Sequence, residues 1–159
     1  MKKIIIDSGK KTQKSKKSEK YNPNHIDKKK QVEYINKLFL NDDFSEKNDV
    51  ISELKKKLNS YKQQDIKKKR YDKDKFISFD ELVEKLVISK LRCSYCRKEC
   101  LVFYENIREK NMWTLDRVNN DIGHYGDNVV ISCLQCNLQK RRRSDNSFRF
   151  AKQMVIIKK

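Results

Sequence analysis

Two Cys-x-x-Cys pairs, Cys93-Ser94-Tyr95-Cys96 and Cys133-Leu134-Gln135-Cys136, constrain this chain more than any other feature. Four soft thiolates in that arrangement suit a tetrahedral zinc ion, so one structural zinc held by Cys93, Cys96, Cys133 and Cys136 is expected. The stretch between the pairs is longer than the roughly 15–20 residues of a simple zinc ribbon. The metal is therefore expected to clamp the two ends of an inserted structural unit. Cys100 is left over and reads as a small buried apolar residue.

All five cysteines crowd between positions 93 and 136. In an intracellular chain such crowding points to metal ligation rather than to a disulfide framework. No apolar run approaches the roughly 20 residues that span a bilayer. The opening MKKIII breaks into Asp7 and Ser8 before a signal-peptide core can form. A soluble, intracellular protein of cytoplasm or nucleus, with no membrane partner, is expected.

Charge narrows the partner. Only 36% of the residues are hydrophobic, 38% are charged, and the formal charge is +17. Such a balance is hard to reconcile with one core burying the whole length, and it predicts attraction to a polyanion, nucleic acid before others. Eight of the nine arginines lie after residue 90. Arginine's planar fork suits bidentate phosphate contact, which puts the expected functional face in the C-terminal part.

Along the chain, residues 1–25 read as a flexible basic arm, Lys- and Ser-rich, with Pro23 and a KKTQKSKK run of the kind used in nuclear localisation. Residues 26–91 read as a helical region. Val32, Ile35, Leu38 and Phe39 mark a first apolar face, ended by Asn41-Asp42-Asp43. Val50, Ile51, Leu54, Leu58 and Tyr61 mark a second, whose opposite side carries Lys55–Lys57 and, further on, Lys67–Arg70. That basic side is either a solvated face or a phosphate contact. Ser78 with Glu81 forms a capping box ahead of Leu82, Val83, Leu86, Val87 and Leu91, predicting a third helix that delivers the chain to Cys93.

Beyond the first cysteine pair, β-like runs appear at 100–104 (CLVFY), 113–118 (WTLDRV) and 128–132 (NVVIS). The second and third are expected to pair as a hairpin around NNDIGHYGD, a glycine- and Asn/Asp-rich turn. A helix should begin at the second cysteine pair and wind to about Arg143. A last helix within 146–159, carrying Phe148, Ala151, Met154 and Val155, should pack back on the body.

Taken together, Cys93-x-x-Cys96, Leu115-Asp116-Arg117-Val118-Asn119-Asn120, Gly123-His124, Asn128-Val129-Val130 and Cys133-x-x-Cys136-Asn137 with Lys140 resemble the HNH family of nucleases. About 50 residues carry the resemblance, and its specificity lies in the joint spacing. It implies an α+β fold, with a C-terminal zinc-stapled ββα-metal module over 92–145 preceded by the helical, Lys-rich region. In that family two strands and a helix surround one catalytic divalent cation, and the cysteines hold a separate zinc that only builds the fold. The first-strand Asp falls on Asp116, the helix ligand on Asn137, and the Asn that braces the hairpin turn on Asn128. A carboxylate and an amide oxygen are hard donors suited to Mg²⁺ or Mn²⁺.

The chain departs from the family where a His usually follows the Asp and deprotonates the attacking water. Arg117 stands there, permanently protonated, and is better suited to clamping the phosphate. His124, in the glycine-flanked loop, is the candidate general base, with Tyr125 a weaker substitute. Lys140, Arg141, Arg142 and Arg143 are candidate backbone contacts.

Three functions follow as expectations. The first is a metal-dependent endonuclease that hydrolyses DNA phosphodiester bonds. The second is a zinc-folded module that binds DNA or RNA and has lost cleavage, as Arg117 at the base position suggests. The third, a protein-binding adaptor built on a zinc ribbon, leaves the spacing of Asp116, Asn128 and Asn137 unexplained. Homing, restriction, repair and viral genome processing all employ modules of this kind.

Overall fold

A computed structural model describes residues 27–157. The arm expected over 1–25, with its KKTQKSKK run and His25, lies outside the described residues. Helix α1 (Lys28–Phe39) starts where the Asp27 carboxylate accepts from the Lys29 N–H, satisfying one of the first turn's orphan donors. It ends where Asn41 takes a left-handed φ of 58° and the Asp42 N–H returns to the Lys37 carbonyl. Its buried stripe is Gln31, Tyr34 and Ile35. The expected face is thus rotated: Val32 and Leu38 are only partly buried, and Phe39 is exposed. Tyr34 of that stripe stacks on Phe44 at 5.6 Å between ring centroids.

Helix α2 (Lys47–Lys67) buries Val50, Leu54, Tyr61 and Asp65, an i, i+4 progression whose last member is a carboxylate. Helix α3 (Phe79–Ile88) carries both halves of the predicted capping box: the Glu81 N–H donates to Ser78 Oγ, and Glu81 Oε2 accepts from the Ser78 N–H. Leu82, Val83 and Leu86 face inward from it. Left-handed Lys90 and Leu91 then turn the chain into Cys93.

No strand forms over 100–104. The Val102 and Phe103 N–H groups both donate to Gln31 Oε1, at 2.8 and 3.0 Å, and Gln31 Nε2 donates to the Phe103 carbonyl. One buried amide side chain supplies the pairing that a neighbouring strand would have given. Only a bridge between Leu101 and Met112 remains there.

The hairpin is as expected. Strand β1 (Trp113–Arg117) pairs antiparallel with β2 (Val129–Cys133), Asp116 opposite Val130 and Trp113 opposite Cys133. Helix α4 (Leu134–Lys140) follows at once, with Cys133 as its N-cap. It stops three residues short of the expected end, because Arg141 adopts φ 53° and the Arg143 N–H closes a turn onto the Lys140 carbonyl.

Helix α5 (Asp145–Gln153) is capped by Ser144 and docks through Phe148, edge-on to Tyr95 at 5.1 Å. Ala151, Met154 and Val155 do not pack back as expected; the helix ends at Gln153, and 154–157 runs on extended and exposed. One hydrophobic cluster joins the helices to the hairpin, with Ile35, Leu54, Leu82 and Leu86 packed among residues that include Trp113, Leu115 and Ile131. Among the described residues no helix is long and apolar enough to cross a membrane.

Candidate functional site

The four paired cysteines converge. Cys93 and Cys96 sit on the turn after α3, Cys133 closes β2, and Cys136 lies in the first turn of α4. All four Sγ atoms fall within 4.8 Å of one another. Cys96 Sγ and Cys133 Sγ are 3.8 Å apart, against a tetrahedral edge of roughly 3.8 Å for a zinc–sulfur bond of about 2.3 Å. The Tyr95 and Cys136 N–H groups point at Cys93 Sγ and Cys133 Sγ, each at 3.4 Å, and favour the thiolate form.

Burial, and after it the charge of Cys93, pushes the Cys136 thiol up to about 12. Several thiolates therefore cannot share this space without a cation, and the cluster is compatible with a structural zinc. Cys100 is buried outside the cluster, with its thiol pushed up by burial, as befits a small packing residue.

Tyr95, held between the first two cysteines, carries the cluster into the hairpin. Its hydroxyl lies 2.5 Å from Asp116 Oδ2 and 2.6 Å from Asp145 Oδ1. Burial first, and then these two carboxylates, hold the phenol well above its ordinary range. From the other side Lys140 Nζ reaches Asp116 Oδ2 at 2.9 Å and donates to the Arg117 carbonyl at 2.7 Å. Lys140 is 0% exposed and Asp116 5%. The expected backbone contact through Lys140 is corrected here: its ammonium is spent neutralising a buried carboxylate. One turn earlier on α4, Asn137 Nδ2 donates to Thr114 Oγ1 at 3.1 Å, which seats Asn137 on the strand that carries Asp116.

The long loop between the strands is braced from within. Asn128 Oδ1 accepts from the Asn119 N–H, and its Nδ2 donates to the Asn119 and Gly123 carbonyls. Arg117 spans the same loop, one guanidinium nitrogen donating to the carbonyls of Asn120 and Ile122. Burial, and then the neighbouring charge of Arg70, lowers its pKa, though a guanidinium remains protonated at any usable pH.

His124 is buried, 4% exposed, against Asp65 of α2. Its backbone N–H donates to Asp65 Oδ2 at 2.6 Å, and its Nδ1 lies 2.8 Å from Asp65 Oδ1. The Tyr61 ring packs on the imidazole at 4.6 Å between centroids. Desolvation outweighs the pull of Asp65 and lowers the imidazole pKa below its ordinary value, so His124 is neutral at neutral pH. With the carboxylate accepting at Nδ1, the proton sits there and the lone pair is left on Nε2. Asp116 and Arg117 lie near enough for their charges to act on the ring. Gly123 is required where Asp65 approaches: an added Cβ would stand 2.7 Å from Asp65 Oδ2 and 2.6 Å from the Arg70 carbonyl.

Asp116, Arg117, His124, Asn128 and Asn137 thus belong to one assembly of hairpin, loop and α4. Arg141, Arg142 and Arg143 are exposed just beyond α4, and Arg142 reaches Asp121 of the loop at 2.8 Å. Sequence reasoning missed Asp65 and Tyr95. A carboxylate continuing the apolar stripe of α2 was the available signal for Asp65. Nothing in the spacing around Tyr95 marked it.

No protein-family profile, curated protein or solved structure matches the chain.

Proposed function

We propose that the chain is a metal-dependent endonuclease of the HNH type that hydrolyses DNA phosphodiester bonds. The observation that carries this reading is the Asp65–His124 pair beside Asp116 and Arg117: a neutral imidazole, oriented at Nδ1 by a carboxylate, next to a hairpin with hard oxygen donors. That is the equipment of a general base at neutral pH.

Asp116 and Asn137 would hold the divalent cation, and their carboxylate and amide oxygens fit a hard ion such as Mg²⁺ or Mn²⁺. When bound, that ion would polarise the scissile phosphate and stabilise the leaving oxygen. Lys140 already compensates the charge of Asp116, so affinity for the cation should stay low until a phosphate brings its own negative charge. In this scheme His124 takes the proton of the attacking water at Nε2, Arg117 steadies the phosphate, and Asn128 keeps the loop in shape.

A second reading has its own support. Asp116 is buried, paired with Lys140 and hydrogen-bonded by Tyr95, and His124 is buried and bonded to Asp65. Groups so fully satisfied suit a zinc-folded module that binds DNA or RNA and leaves it intact. The two separate on supercoiled plasmid in Mg²⁺ or Mn²⁺. The endonuclease reading expects nicking by the wild type and none above background by Asp116→Ala. Equal, background-level nicking by both would sink it.

A further inference from the structure

Arginines from three separate stretches of the chain meet at one short loop. Arg70 follows α2, Arg117 ends β1, and Arg142 follows α4. The Arg70 carbonyl accepts from Tyr125 Oη at 2.9 Å and faces Gly123, where an added Cβ would stand only 2.6 Å away. Its backbone is fixed by left-handed Lys69 and by the Arg70 N–H bond to the Asp65 carbonyl at 2.8 Å. Arg117 bonds the Asn120 and Ile122 carbonyls at 3.2 and 3.1 Å, and Arg142 bonds Asp121 Oδ1 at 2.8 Å. Three guanidinium groups therefore belong to residues anchored on positions 120–125.

The nearby carboxylates Asp65 and Asp116 offset part of this charge from a distance, but each is paired elsewhere. Asp65 is committed to His124 and Asp116 to Lys140. Asp121 pairs with Arg142 where both side chains are largely exposed, at 78% and 73%, and such a contact is weak. Burial first, then the charge of Arg70 and, least, that of Arg142 lower the Arg117 pKa against the opposing pull of Asp65 and Asp116, so the like charges lie within reach of one another. An anion would relieve that repulsion. Arg117 engages the loop through one nitrogen, Nη1, and a guanidinium has five N–H donors, so a fork remains for phosphate oxygens.

We propose that Arg70, Arg117 and Arg142 form a phosphate-binding site for the sugar–phosphate backbone of duplex DNA, with the end of α2 and the hairpin loop contributing to one nucleic-acid face. This rests on nucleic acid being the partner, and it gives the helical region a share in binding. The exposed lysines at 67–69 next to Arg70 add a diffuse positive field to it.

The test titrates the full zinc-loaded chain with a fluorescent 20-base-pair duplex, without Mg²⁺ or Mn²⁺, over a series of salt concentrations. Arg70 contacts the loop through its backbone, so Arg70→Ala keeps those contacts, and Arg70→Gln serves as a second variant should the first fail to fold. Either is expected to raise Kd about tenfold at 0.1 M salt and to lower the slope of log Kd against log salt by about one. Arg70→Lys is expected to recover only part of the affinity, because the charge returns without the fork. Lys30→Ala, which removes the same charge from an exposed position on α1, is expected to stay within about twofold of wild type. Equal losses for Arg70→Ala and Lys30→Ala would overturn the site in favour of a diffuse field. Failure of the wild-type chain to bind duplex at all would instead remove the nucleic-acid reading beneath it.

Discussion

Replacing Lys140 with methionine keeps most of the side-chain volume and removes one charge from a buried pair. Lys140 Nζ stands 2.9 Å from Asp116 Oδ2, with the lysine 0% and the aspartate 5% exposed. Removing one member of such a pair leaves an uncompensated buried charge and costs about 3–5 kcal/mol. Tyr95 still reaches the Asp116 carboxylate in the variant, which places the expected loss near the lower end, about 3 kcal/mol. For a domain of this size that corresponds to a fall in Tm of roughly 10 °C. Asp116→Asn should also destabilise, since it strands the ammonium. The double variant Lys140→Met/Asp116→Asn should lose less than the sum of the singles, with a coupling above about 1.5 kcal/mol. Urea unfolding followed by circular dichroism, at one pH and with zinc saturating, gives all four values. A loss below about 1 kcal/mol for Lys140→Met, as for an exposed lysine, together with additive singles, would refute the buried-pair account.

Two further predictions concern other parts of the molecule. Metal analysis of the purified chain should find one zinc per chain, reduced by Cys96→Ser or Cys136→Ser and unaffected by Cys100→Ser, with loss of near-ultraviolet dichroism on chelation. Burial pushes Lys57, whose ammonium donates to the Trp113 carbonyl, from its ordinary 10.5 down to about 7. The unfolded chain then binds the extra proton between those values, so this group makes stability rise with pH from about 7 to 10.5. Urea midpoints at pH 7 and pH 9 should show the rise in wild type and a flatter response in Lys57→Met.

Local patterns carried much of the fold in the sequence. The capping box of Ser78 and Glu81, the alternation of WTLDRV and NVVIS, and the cysteine spacings each report a short-range physical requirement, and each element formed where its pattern lay. Long-range substitutions of one partner for another left no such mark. Gln31 took the place of a strand for Val102 and Phe103, some 70 positions away in the chain. A glutamine on an otherwise apolar helix face is too common to announce that role. Lys140 looked like surface charge because its partner, Asp116, is brought near only by the hairpin–helix fold. The residues expected in the site lie together on the hairpin, its loop and α4, but the groups bonded to two of them, Asp65 and Tyr95, lie 59 and 21 positions from their partners.

The proposed cleavage turns on His124, and the direct measurement is the cleavage rate and duplex affinity of His124→Ala beside the wild type, in Mg²⁺ at neutral pH. General-base catalysis of this kind contributes about 10²–10⁴-fold in rate. The expected result is a rate reduced by that order with Kd unchanged. A variant that nicks DNA as fast as wild type would contradict it.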